Sequence, residues 1–192
     1  MTLRNEVRII GGSHRSRRIR FPSSLGLRPT ADRVRETVFN WIRDDIEGAS
    51  VLDLFAGSGA MGWEALSRGA RRAVFVEASS DVARCLADTQ RMLDFQGAEI
   101  KHLEAETFLA GEPEIFDVVF MDPPFHSKLL LGAAASLEER GWLKDGALIY
   151  VECEVGLSIT AFPENWRLFR QGATRMAQYQ IFKRITHRES LT

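Results

Sequence analysis

Asp122, Pro123, Pro124 and Phe125 follow directly on the apolar run Ile115 to Met121, I-F-D-V-V-F-M. Adjacent prolines fix the backbone and remove N–H donors, so the end of this run presents a carboxylate and carbonyl oxygens. That environment suits an exocyclic nucleobase amine. Such an amine is planar, with its lone pair delocalised into the ring, and attacks an electrophile poorly until its hydrogens are held out of plane. The Asp122 carboxylate and the Pro123 carbonyl can each accept one of those hydrogens. As positive charge grows on nitrogen, the carboxylate stabilises it more strongly than in the ground state. Phe125 offers a flat face for stacking a base. Asp-Pro-Pro alone is a weak signal, because strand ends commonly turn on Asp and Pro, and its meaning depends on what lies beside it.

The second set of residues spans Val51 to Glu77. Val51, Leu52, Leu54 and Phe55 read as a buried parallel strand, broken by Gly57-Ser58-Gly59 and followed by apolar residues at helical spacing. A second apolar strand, Ala73 to Val76, ends on Glu77, twenty residues after Gly57. Gly57 and Gly59 let a ligand approach the backbone at the helix N-terminus, and Glu77 can accept hydrogen bonds from both ribose hydroxyls. Gly57, Gly59 and Gly62 also match the dinucleotide fingerprint G-x-G-x-x-G literally, and a glycine turn needed only to pack helix on strand is the plainer alternative. Asp53, four residues before Gly57, narrows the choice, because a carboxylate at a strand end suits a ligand carrying an ammonium rather than a pyrophosphate. The pattern D-L-F-A-G-S-G resembles the first motif of S-adenosylmethionine-dependent methyltransferases.

Alternating elements are needed to hold these two sets together. Helix near 80–95, strand near 99–103, short helix near Thr107, strand 115–121, helix 129–139 and strand 147–153 follow in βα alternation. Two closing strands, Trp166 to Arg170 and Met176 to Ile185, are joined by a turn expected at Gly172. The pattern predicts an α/β fold of the class I methyltransferase (Rossmann-like) type, with a seven-stranded, mostly parallel sheet and one antiparallel strand. In such a sheet the ligand crevice lies at the strand C-termini, which puts Asp122 beside the glycine turn. The loop after the third strand passes the adenine, making Glu104 and Ala105 candidates for reading its edge, or simply loop residues.

With 192 residues, 45% hydrophobic and 27% charged, the chain can bury one substantial core. No apolar run approaches a membrane span, and the charged N-terminus does not read as a signal peptide. A cytoplasmic, membrane-free monomer is expected. Cys85 and Cys153 lack metal-ligand spacing, so no metal is expected and both read as buried thiols. The net charge of −1 conceals an asymmetry: residues 1–35 hold nine Arg against Glu6 and Asp32. This predicts a basic arm over residues 1–29, joined to a Rossmann-like domain over 30–192. Val7 to Ile10 and Arg18 to Phe21 read as a hairpin crowded by His14, Arg15, Arg17, Arg18 and Arg20. The alternatives are a solvated face and a nucleic-acid contact, to which Arg28 would add. Thr30 is expected to cap a helix whose apolar stripe is Val34, Val38, Trp41 and Ile42, with Asp32, Arg33 and Arg35 on a polar rim.

R-I-I-G-G at Arg8 to Gly12, R-P-T-A-D-R-V-R-E-T-V-F-N-W at Arg28 to Trp41, D-L-F-A-G-S-G-A-M-G at Asp53 to Gly62 and D-P-P-F together resemble the bacterial 16S ribosomal RNA guanine-N2 methyltransferase family (RsmD-like). The resemblance covers nearly the whole chain. It implies that S-adenosylmethionine is the cofactor, contacted by Asp53, Ala56, Gly57 and Glu77. It implies further that Asp122 to Phe125 hold a guanine amine, and that the partner is 16S RNA, within small-subunit particles. Glu104 departs from the pattern, which would place a shorter Asn or Asp there.

Rival readings each leave something unexplained. A DNA adenine or cytosine amino methyltransferase also suits D-P-P-F but would need a recognition domain for which the chain has no segment. Methylation of a protein glutamine amide leaves the basic arm without a purpose. A nicotinamide-dependent dehydrogenase needs a second mononucleotide-binding half, and a non-catalytic RNA-binding module leaves Asp122-Pro123-Pro124 idle.

Overall fold

Alternation in the central strands decides the architecture. Along β3 (Ser50–Asp53), β4 (Arg72–Glu77), β6 (Phe116–Met121) and β7 (Leu143–Glu154), nearly every residue of the central segments is buried, and successive side chains enter opposite layers. Val51, Phe75, Phe120 and Tyr150 belong to one apolar cluster, whereas Leu52, Val76, Met121 and Ile149 belong to the other. Both faces must therefore be covered, and helices cover them.

The computed structural model describes residues 4–22, 31–124, 127–175 and 177–185. A two-stranded hairpin, β1 (Arg4–Arg8) and β2 (Arg18–Pro22), precedes the helices α1 (Asp32–Trp41) and α2 (Arg43–Ile46). After β3 come α3 (Ala60–Ser67), β4, α4 (Ser80–Leu93), β5 (Ala98–His102), α5 (Ala105–Leu109), β6, α6 (Ser127–Glu139) and β7. A 3-10 turn at Ile159–Ala161 leads to the closing strands β8 (Trp166–Ala173) and β9 (Ala177–Arg184). The seven-stranded sheet runs β5-β4-β3-β6-β7-β9-β8, with β9 antiparallel to both neighbours and every other pairing parallel. One strand is thus reversed, as expected.

The hairpin, α1, α3 and α4 pack on one face; α5, α6 and the segment from Phe162 to Trp166 pack on the other. Val7, Ile9, Ile19 and Phe21 of the hairpin are buried in the same cluster as Val38 and Trp63. The sequence order turns back between β3 and β6, which opens a crevice beyond their C-termini.

Several expectations are corrected. Gly172 lies within β8 rather than at a turn, because the ring of Tyr179 crosses it and a Cβ there would stand 2.3 Å from Tyr179 Cζ. The turn falls after Ala173, where the Thr174 N–H and hydroxyl both donate to Ala177 O and the Ala177 N–H donates to Thr174 Oγ1. Ala31 occupies the cap position of α1 without a side-chain bond, and Thr30 lies outside the described residues. Cys153 is buried but Cys85 is only half-buried.

Candidate active site

Asp53 closes β3 and Glu77 closes β4, so both carboxylates stand at the C-terminal rim of the sheet. Asp53 is 4% exposed, and its Oδ2 accepts the Gly62 N–H at 3.0 Å. Burial pushes its carboxyl up to about 7; the Gly62 hydrogen bond opposes the shift and the charge of Glu77 adds to it. A cation placed here would restore the ionised form. Glu77 accepts the Gly57 N–H on Oε2 at 2.9 Å and the Ser79 N–H on Oε1 at 2.8 Å. Its carboxylate therefore ties the glycine turn to the end of β4, while the Ala56 N–H donates to Val76 O at 2.9 Å.

Gly57 and Gly59 have φ of 51° and 74°, in the left-handed region that favours glycine. At Gly59 an added Cβ would also meet Trp63 Nε1 at 2.4 Å. Gly62 is required for a different reason, since its Cβ would stand 2.2 Å from the Phe75 ring where α3 crosses β4. The chemistry of the donor set fits S-adenosylmethionine. Paired strand-end carboxyls can take an ammonium and a ribose diol, whereas a pyrophosphate would bring further negative charge against two acids and find no cation paired with them among the described residues.

Asp122 is half-buried just beyond β6, Pro123 is buried and Pro124 exposed; Phe125 lies outside the described residues. Asp53 pairs with Phe120 across the β3–β6 ladder, so Asp122 rises two residues above the level of Asp53 on the adjacent strand. The cofactor-type carboxylates and the Asp-Pro-Pro turn are thus neighbours at the switch point, as expected. Glu104 is exposed at the cap position of α5, and Ala105 is buried against the second apolar cluster. Ala105 therefore has a packing role. Leu103, 41% exposed and bonded through its N–H to Glu77 O, lies nearer Glu77 and escaped the sequence reading.

Two further residues escaped it. Tyr150, 1% exposed on β7, donates from its hydroxyl to Glu152 Oε2 at 2.7 Å. Burial, followed by the charges of Glu152 and Asp122, pushes the phenol well above its ordinary value, so it remains a donor. The available signal was the alternation Tyr150, Glu152, Glu154, which sets polar groups on one face at a strand C-terminus.

The basic hairpin is docked rather than loose. Glu64 on α3 is fully buried and accepts the Ile10 N–H at 2.7 Å, the Gly11 N–H at 2.8 Å and Arg68 Nε at 2.7 Å. Ser67 Oγ donates to Gly11 O at 2.6 Å and accepts the His14 N–H at 2.9 Å. His14 lies against Phe95, with ring centroids 4.1 Å apart, and its Nε2 is 2.9 Å from Leu93 O. Arg15 and Arg17 are exposed on the turn. Arg18 and Arg20 are exposed but already pair with Glu6, at 3.0 and 2.9 Å. Hydrogen bonds first from Arg20 and then from Arg18 hold the Glu6 carboxyl below its ordinary value. Arg28 lies outside the described residues. Arg35, expected on a polar rim, is 1% exposed and donates to Arg8 O at 2.6 Å and Asp32 Oδ1 at 2.9 Å.

Residues 7–183 match a family model described as "Conserved hypothetical protein 95". The chain is 44% identical to the Escherichia coli protein named ribosomal RNA small subunit methyltransferase D, over 96% of this chain and 93% of that one. It is 43% identical to the protein of the same name from Haemophilus influenzae, over 94% of this chain and 95% of the relative. Among solved structures, Escherichia coli YhhF superposes with a TM-score of 0.89 at 42% identity, covering 94% of this chain and 99% of that one. The Thermus thermophilus 16S rRNA N2 G1207 methyltransferase, solved with AdoMet and guanosine, has a TM-score of 0.70 at 19% identity and shares the fold. With the match running nearly end to end over a methyltransferase sheet, the chain belongs to the ribosomal RNA small subunit methyltransferase D family.

Proposed function

We propose that this protein transfers a methyl group from S-adenosylmethionine to the exocyclic N2 amine of one guanine in 16S ribosomal RNA. The carrying observation is the Asp122-Pro123-Pro124 turn at the C-terminus of β6, one strand away from Asp53 and, beyond it, Glu77. When bound, the cofactor supplies an electrophilic methyl group on a sulfonium and leaves as a neutral thioether. Asp53 takes the ammonium end of that ligand, Glu77 the ribose diol, and Gly57 and Gly59 keep the turn clear for its approach. Asp122 and the Pro123 carbonyl accept the two amine hydrogens and turn the lone pair towards the methyl. Charge that develops on nitrogen is stabilised by Asp122, which takes up one amine proton once the new methyl–nitrogen bond has formed and passes it to solvent.

The exposed Arg15 and Arg17 bind RNA phosphates from a turn that Glu64 and Ser67 hold in place. Arg18 and Arg20 join them by exchanging Glu6 for phosphate, and Arg28 is a further phosphate-binding cation. The substrate is the RNA within a small-subunit particle, and the protein works as a cytoplasmic monomer in which residues 1–29 serve as the RNA-binding arm. Methylation of a DNA adenine or cytosine is disfavoured by the family to which the chain belongs.

Asp122→Asn tests the chemistry, because it keeps the shape and one acceptor but removes the charge. Single-turnover methyl transfer at saturating cofactor and RNA should fall by about 100- to 1,000-fold with near-normal affinities. A full single-turnover rate would make Asp122 a positioning residue. Nucleoside analysis of the product should give N2-methylguanine, and N6-methyladenine would overturn the assignment.

A further inference from the structure

Beside the Asp-Pro-Pro turn stands a second acid that the amine chemistry does not require. Met121 of β6 pairs with Val151 of β7, so Asp122 and Glu152 are lateral neighbours on parallel strands, whose spacing is about 4.8 Å. Phe120 and Tyr150 share one face, and alternation sends Asp122 and Glu152 to that same face one step further on. On the far side Glu152 pairs with Tyr179 of β9, which stacks on Trp41 with ring centroids 5.7 Å apart. The Tyr150 hydroxyl reaches up from the core to hold Glu152 Oε2. The phenol that orients this acid is itself only 1% exposed.

Resting on the guanine-N2 reading, we infer that Glu152 is the specificity-determining residue, accepting the N1–H of the target guanine while Asp122 and Pro123 hold the adjacent N2 amine. The logic is in the base edges. In guanine the ring nitrogen beside the amine, N1, carries a hydrogen. In adenine the ring nitrogen beside the N6 amine is an acceptor, and so is N3 of cytosine beside its N4 amine. A carboxylate next to the amine pocket therefore attracts guanine and repels the other two bases. Asp-Pro-Pro serves any exocyclic amine, and Glu152 supplies the choice. Tyr150 acts through Glu152 as a positioning residue, donating to its Oε2 and so fixing the orientation of the carboxylate beside Asp122.

The test compares guanosine with 2-aminopurine, which keeps the amine but has no N1–H, placed at the mapped target position of small-subunit RNA. The unaltered protein should methylate the guanosine RNA with kcat/KM about 5- to 150-fold above the 2-aminopurine RNA. Glu152→Gln should lose most of that ratio by slowing the guanosine reaction, with the 2-aminopurine reaction little changed. Equal losses on both RNAs, or an unchanged ratio, overturn the inference. Tyr150→Phe provides a second reading that removes only a hydroxyl. It should narrow the ratio in the same direction by about threefold or more, the effect of loosening one hydrogen bond to a charged group. A ratio that Tyr150→Phe leaves intact counts against the inference even if Glu152→Gln fails to fold. Failure of the unaltered protein to methylate guanosine RNA at all would remove the guanine reading itself together with the inference.

Discussion

Glu64 connects the basic hairpin to the catalytic domain, and its removal should be felt throughout the protein. Its carboxylate has no exposure and receives two backbone N–H groups and the Arg68 guanidinium. Arg35, also buried, lies within its electrostatic reach, and Arg35 Nε and Nη1 find no hydrogen-bond partner among the described residues. Glu64→Ala therefore leaves the Ile10 and Gly11 N–H groups unsatisfied, and takes from Arg35 and Arg68 an acid that balances them. Breaking a buried pair in this way costs about 3–5 kcal/mol, much of it the penalty of stranding the remaining charge. For a chain of this length that is a drop in melting temperature of about 6–20 °C. Glu64→Gln keeps the volume and one acceptor oxygen but turns an NH2 towards groups that are themselves donors, so a loss of about 2 kcal/mol is expected. Urea unfolding gives the free energies, and hydrogen exchange at Ile10 and Gly11 shows whether the hairpin turn has detached. A Glu64→Ala loss below about 1 kcal/mol, with exchange protection retained at both amides, would refute the reasoning.

Glu77→Ala should weaken binding of S-adenosylhomocysteine by about 1.5–3 kcal/mol for each ribose hydrogen bond lost, read by calorimetric titration; unchanged affinity would move the ribose contact elsewhere. Arg15→Ala and Arg17→Ala should flatten the logarithmic salt dependence of RNA binding by about 0.7 per phosphate contact on single-stranded RNA, with cofactor affinity untouched, and an unaltered slope would mark these as solvated side chains. Because the folded protein keeps a proton on Asp53 up to about pH 7 that the unfolded chain releases near 3.8, Asp53 makes stability fall as pH rises across that window. Asp53→Asn should remove this component in the difference between the two pH–stability curves, and parallel curves would count against it.

The central strands and the switch-point crevice were legible because buried parallel strands write themselves as short apolar runs ending in acids, at Asp53, Glu77 and Asp122. Residues whose role depends on what crosses them from elsewhere in the chain were not. Gly172 carries the composition of a turn, yet what it provides is room for the ring of Tyr179 on the neighbouring strand. Arg35 looks like part of a solvent-facing rim from its helical position, but the hairpin closes over it and Arg8 O accepts its guanidinium. Glu64 left a fainter trace. Helix α3 is buried on all sides and otherwise apolar or small, so a single acid within it had to find donors, though the sequence could not say that they come from Ile10 and Gly11, more than fifty residues away. Tyr150 and Glu152 stand between these cases. Their alternation on β7 was visible, but only the register with β6 sets Glu152 beside Asp122. Register is a property of two strands, and one strand's sequence specifies only which face each residue takes.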